Sequence, residues 1–140
     1  ASSIHAMQDA EFKRRRSKEA GDALVGFFVI LAQKLFPHDV EPTTARRVEL
    51  MLASYFLRGE LDASPVAPPD EAKAKKAVDA VASLSGPALD RRITDELGDA
   101  VLAFFSAFSA QVTGETDAAQ RARNVQLMTL AYLLRSDLKS

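Results

Sequence analysis

Residues 14–28, Arg14-Arg15-Arg16-Ser17-Lys18-Glu19-Ala20-Gly21-Asp22-Ala23-Leu24-Val25-Gly26-Phe27-Phe28, match residues 91–105, Arg91-Arg92-Ile93-Thr94-Asp95-Glu96-Leu97-Gly98-Asp99-Ala100-Val101-Leu102-Ala103-Phe104-Phe105, at a displacement of 77 residues. Eight of these fifteen positions are identical. At the same displacement and without a gap, Ala45 to Leu61 lies over Ala122 to Leu138 with nine of seventeen positions identical. Ala- and Leu-rich helices would give roughly one or two such matches by chance. The chain therefore reads as a tandem duplication, and whatever fold one copy takes the other must share.

Periodicity says what that fold is. Apolar residues recur at three- and four-residue spacing, and no segment alternates as a strand would. A first helix is expected over about residues 10–36, with Ala20, Leu24, Phe27, Leu31 and Leu35 on one face. A second runs over about 43–60, after the break at Pro37 to Pro42. The run Ser64-Pro65-Val66-Ala67-Pro68-Pro69 must be a loop. A third helix follows over 70–84, with Asp70 and Glu71 at its positive end. Ser85-Gly86-Pro87 restarts the chain, and a fourth helix over about 87–112 carries Leu97, Val101, Phe104, Phe108 and Val112. Thr113-Gly114 stops it, and Asp117 with Gln120 forms a capping-box start for a fifth helix reaching about residue 138.

The expected fold is an all-α helical bundle of about five helices, a single domain over 1–140. Copy one covers about 10–62, a linker and connecting helix 63–86, and copy two about 87–139. A lone hairpin cannot bury the apolar faces of both its helices, so the copies should pack on each other about a pseudo-twofold axis. Leu24, Phe27, Leu31, Val48, Leu52, Tyr55, Val101, Phe104, Phe108, Val125 and Leu130 are expected to share one core. A weaker match of Ile4, Met7 and Phe12 to Val81, Leu84 and Leu89 suggests that copy one keeps a remnant of the third helix.

Composition narrows function mostly by exclusion. With 47% hydrophobic and 26% charged residues the chain is globular rather than disordered. A net charge of −1 gives no general attraction to nucleic acid or an anionic membrane. Without cysteine there is no disulfide framework and no thiolate metal site. Ala1 to Ala10 lacks the apolar stretch of a signal peptide, and the longest apolar run, Leu24 to Ala32, falls well short of the roughly 20 residues of a bilayer span. A cytoplasmic protein without membrane contact is expected. His5 and His38 form no ligand spacing, and phosphate loops and nucleophile elbows are lacking, so no cofactor is expected.

Several residues present in both copies invite a chemical reading. Phe27, Phe28, Phe104 and Phe105 at helical spacing read as core before they read as a ligand cavity. Gly21 and Gly98 interrupt helices, which points to a kink or a close approach. Tyr55 and Tyr132 are expected to bury their rings and bond locally. Lys13, Arg14, Arg15, Arg16 and Lys18 form a basic collar able to meet nucleic acid or an acidic partner, with Arg15 and Arg92 each placed four residues before a glutamate, Glu19 and Glu96.

Glu19 with Asp22, and Glu96 with Asp99, put two carboxylates three residues apart on a helix face, a pair able to contribute to a divalent-metal site. These stretches, Glu19-Ala20-Gly21-Asp22 and Glu96-Leu97-Gly98-Asp99, each run on to a Phe-Phe pair. They resemble the E-L-G-D motif of the all-α nucleoside-triphosphate pyrophosphatases of the MazG type. The resemblance implies magnesium held by the Glu and the Asp. That family adds an upstream ExxE helix, which Asp9, Glu11, Asp70 and Glu71 do not reproduce. The favoured reading is a non-enzymatic helical protein–protein interaction or regulatory subunit, its partner another protein or a second copy of itself. A nucleic-acid-binding protein and a metal-dependent pyrophosphatase-like protein are the alternatives.

Overall fold

The computed structural model describes residues 9–62, 68–84 and 86–139. The Ile4 and Met7 matches, His5 and most of the Ser64 to Pro69 loop lie outside them. Among the described residues the chain is all helical, and no helix is long and apolar enough to cross a membrane. The helices are α1 (Asp9–Arg15), α2 (Gly21–Leu35), α3 (Glu41–Asp62), α4 (Glu71–Ala82), α5 (Gly86–Glu96), α6 (Asp99–Thr113) and α7 (Ala118–Lys139), with a π-helical turn (Arg16–Ala20) joining α1 to α2.

The helix count exceeds the expected five because the first and fourth expected helices are each divided at a glycine. Gly21 has φ 77° and ψ 162°, and Gly98 has φ 84° and ψ 162°. A side chain is strongly disfavoured in this region of backbone space, so only glycine turns the chain there cheaply. The restart also re-phases the apolar stripe. Phe28 and Phe105 are fully buried, whereas Phe27 and Phe104 are only half-buried against the core. Val101 and Val125 are likewise at its margin, while Leu24, Leu31, Val48, Leu52, Tyr55, Phe108 and Leu130 are buried as expected.

Local chemistry fixes the other ends. The Asp70 carboxylate accepts from the Lys73 backbone N–H at 2.7 Å, capping α4. Gly114, at φ 64° and ψ 18°, closes α6 by donating to the Ala110 carbonyl at 2.8 Å. The Asp117–Gln120 capping box does not form as expected: the Asp117 N–H donates to Glu115, and Gln120 accepts from Arg47 at 3.4 Å. The buried Arg47 guanidinium draws acceptors from two sides, Asp39 before α3 at 3.0 Å and Asn124 and Gln120 on α7.

The long helices α3 and α7 make the central packing of the molecule. They run parallel, because Arg47 near the start of α3 meets Asn124 near the start of α7, and Arg58 near the end of α3 meets Ser136 near the end of α7. Helix α2 packs on α3, α6 packs on α7, and α4 fills the flank between α2 and α7. Buried Leu50, Met51, Phe56, Leu127, Met128 and Leu133 form the middle of a single core.

Contacts recur at the 77-residue displacement, an aromatic pair within each half and an arginine–carbonyl bond crossing from each half to the other. Phe28 meets Tyr55 edge to face at 6.0 Å, and Phe105 meets Tyr132 at 5.7 Å. Arg46 donates to the Val112 carbonyl at 3.1 Å, and Arg123 donates to the Leu35 carbonyl at 3.2 Å.

Candidate functional site

Near the C-terminal ends of α3 and α7, arginines and carboxylates interleave. Arg15 donates to Glu19 at 2.5 Å and also to Glu60. Arg92 donates to Glu96 at 2.5 Å and to Asp137 at 2.5 Å. Each glutamate also receives an arginine from the other half: Arg135 stands 3.6 Å from Glu19, and Arg58 stands 3.4 Å from Glu96. Burial works against the charge of Arg15, but the bonds to Glu60 and Glu19 outweigh it and its pKa rises. The Asp137 pairing is the largest influence on Arg92, whose pKa also rises. Burial would raise the Glu96 pKa, yet Arg92 and Arg58 together hold it below the usual glutamate value.

This arrangement places the sequence candidates. Glu19 and Glu96 face arginines, while Asp22 and Asp99, just beyond the glycine breaks, are exposed. Among the described residues no three carboxylate or histidine side chains gather within reach of one metal ion. Of the basic collar, Arg15 turns inward to its carboxylates. Lys13, Arg14, Arg16 and Lys18 are exposed, and their side chains make no ion pair among the described residues. The π-turn gives this stretch an extra residue of girth, closed by the Gly21 N–H donating to the Arg16 carbonyl.

The Phe-Phe pairs are packed into or against the core: Phe28 and Phe105 are enclosed, Phe27 lies half-buried, and Phe104 stacks on Phe108 at 5.8 Å. Tyr55 buries its ring as expected, but its hydroxyl has no hydrogen-bond partner among the described residues. Burial pushes its pKa up to about 12, against an opposing pull from Arg135.

Two features escaped sequence reasoning. One is the role of Arg58 and Arg135, which lie over Tyr132 and Tyr55 at 4.6 Å in both cases. Their signal was an arginine retained in both copies inside an otherwise apolar run, Tyr55-Phe56-Leu57-Arg58 and Tyr132-Leu133-Leu134-Arg135. The other is an open groove of about 690 Å³ between α2 and the first half of α3, with Val25, Val29, Phe36 and Val48 among its apolar lining and Arg16, Asp39 and Glu41 among its charged residues. Phe36 is held there by Arg47, whose guanidinium lies 3.8 Å above its ring. Because the groove depends on how α2 is set against α3, no periodicity in the sequence announces it. Comparison of the chain with protein-family models, curated proteins and solved structures returns no match.

Proposed function

We propose that the protein is a duplicated helical hairpin, its halves packed about a pseudo-twofold axis along α3 and α7, and that it acts as a non-enzymatic interaction module of the cytoplasm. The duplication is supported by the matched φ and ψ of Gly21 and Gly98 and by contacts such as Arg46–Val112 and Arg123–Leu35, which exchange partners between halves. The observation that carries the functional reading is the fate of the charged motif. The glutamates of both ExxD stretches are engaged by arginines from two directions, so their charge is neutralised within the fold. The described residues offer a ligand a groove whose size lies within the range of binding sites and whose apolar lining is suited to side chains of another protein.

The test compares the intact chain with its Val29→Glu variant as bait in extract of the native host. A protein captured by the first and lost with the second is expected. Magnesium-dependent release of pyrophosphate from nucleoside triphosphates, abolished by Asp99→Asn, would replace this reading with the pyrophosphatase-like one.

A second reading draws support from the four outward cations of the collar. Lys13, Arg14, Arg16 and Lys18 suit a polyanion, and binding through so few charges should be independent of sequence and fade by physiological salt. Binding of RNA or DNA that persists at about 150 mM salt and is lost on replacing Arg14 and Arg16 by alanine would bring this reading to the front.

A further inference from the structure

The groove belongs to one half only in its charge. Arg16, Asp39 and Glu41 of its lining correspond, at the 77-residue displacement, to Ile93, Thr116 and Ala118. Val25, Val29 and Gln33 stand four apart on one face of α2 and span about 12 Å along it. Arg16 precedes this stripe, and Asp39 and Glu41 follow it, so the groove is cationic at one end and anionic at the other. Asp39 is held by Arg47 at 3.0 Å. The exposed side chains of Arg16 and Glu41 make no hydrogen bond or ion pair among the described residues.

We propose that this groove seats an amphipathic helix of about three turns from a partner protein. Its aliphatic side chains, at i, i+4 spacing, lie against Val25, Val29 and Val48. Its acidic first turn lies at Arg16, and its basic last turn lies at Glu41. The inference rests on the interaction reading above and adds the partner's chemistry and direction. Helices are stabilised by acidic residues at their N-termini and basic residues at their C-termini. A helix with these ordinary end charges complements the groove in one direction and opposes it in the other. A second copy of this chain supplies no such helix among the described residues: its exposed large apolar side chains, Ile30, Val40 and Leu61, share no common helix face.

The probe is a stapled, fluorescein-labelled alanine-based peptide of about three turns, with leucines at i, i+4 and i+7, glutamates in the first turn and lysines in the last. A control peptide has the end charges exchanged. Titrated against the intact chain by fluorescence anisotropy, the first should bind about tenfold more tightly than the control. The doubly reversed variant Arg16→Glu, Glu41→Lys should invert that order, and Val29→Glu should remove binding of both with the helical circular dichroism unchanged. Equal binding of the two peptides, or none, overturns the proposal. If Val29→Glu nevertheless still loses the captured protein, the interaction reading stands and only the helix assignment falls. Two further outcomes also overturn it: a dimer in sedimentation velocity that Val29→Glu dissociates, and an apolar dye bound in a Val29-dependent way by a chain that ignores both peptides.

Discussion

Arg135 and Arg58 occupy corresponding places in the two halves, each crossing to the other half's glutamate and each lying over a tyrosine, yet one side chain is 1% exposed and the other 16%. The difference traces to one position. Beneath Arg135 lies Gly59, where an added Cβ would sit 2.4 Å from Nη2 of the guanidinium. The position 77 residues on is Ser136, whose hydroxyl accepts from Arg58 and stands between that arginine and the backbone. Glycine lets one guanidinium sink against the helix, where it donates to the Tyr55 carbonyl at 3.2 Å but leaves Nε and Nη2 without partners among the described residues. Serine keeps the other nearer the surface with a bond of its own. Matching positions of the two halves thus hold the same charge in two dielectric environments, so the burial of an arginine here is a consequence of local space rather than of pairing strength.

Substitutions in the core should separate buried from half-buried positions of the two halves most strongly. Phe28→Ala and Phe105→Ala should each cost about 3–5 kcal/mol, whereas Phe27→Ala and Phe104→Ala, at half-buried sites, should cost about 1–2 kcal/mol. Chemical denaturation of the four variants checks this, and a larger loss at Phe104 than at Phe105 would contradict the re-phasing of the stripe at the glycine breaks. Those breaks come next. Gly21→Ala and Gly98→Ala should each cost about 1–3 kcal/mol for the backbone conformation alone. Gly21→Ala should be the worse of the two, since its Cβ would meet the Pro68 Cβ at 2.9 Å while the space around Gly98 is open.

The arginine positions give smaller effects. Gly59→Ser should cost about 1–2 kcal/mol in the parent chain by displacing Arg135. In an Arg135→Ala background the same change should be neutral or slightly stabilising, because serine is the better helix former. Arg135→Met is expected to leave stability within about 1 kcal/mol of the parent, since it removes two unbonded nitrogens along with the charge while Glu19 keeps Arg15. A loss of several kcal/mol, measured by urea titration, would show that the cross-half pair carries more of the fold than its geometry allows.

Acid should have the mildest effect. Because Arg92 and Arg58 lower the folded-state pKa of Glu96, its contribution is full above the ordinary value of 4.5 and is lost as pH falls below that value toward the folded one. Thermal unfolding of the parent and of Glu96→Gln should therefore converge on acidification below about pH 4.5. A gap that widens there would reverse the sign of the coupling.

Much of this was legible beforehand. The all-helical class, the single core, the helix start at Asp70 and the stop at Gly114 follow from side-chain spacing and capping chemistry, which act over a few residues and are written wherever those residues occur. The i, i+4 pairs Arg15–Glu19 and Arg92–Glu96 were visible for the same reason. The sequence also marked Gly21 and Gly98 as unusual, since glycine inside an apolar helical pattern needs a cause. Only the folded chain showed that the cause is a left-handed break, and hence that Phe28 and Phe105 rather than their neighbours face inward: burial depends on the phase of a helix relative to its partners. The partners of Glu60, Asp137, Arg58 and Arg135, the unbonded hydroxyl of Tyr55 and the groove beside α2 were likewise decided by tertiary structure. They join residues tens of positions apart, and the forces that hold them, short-ranged and dependent on exclusion of water, exist only once parallel α3 and α7 have brought those residues together.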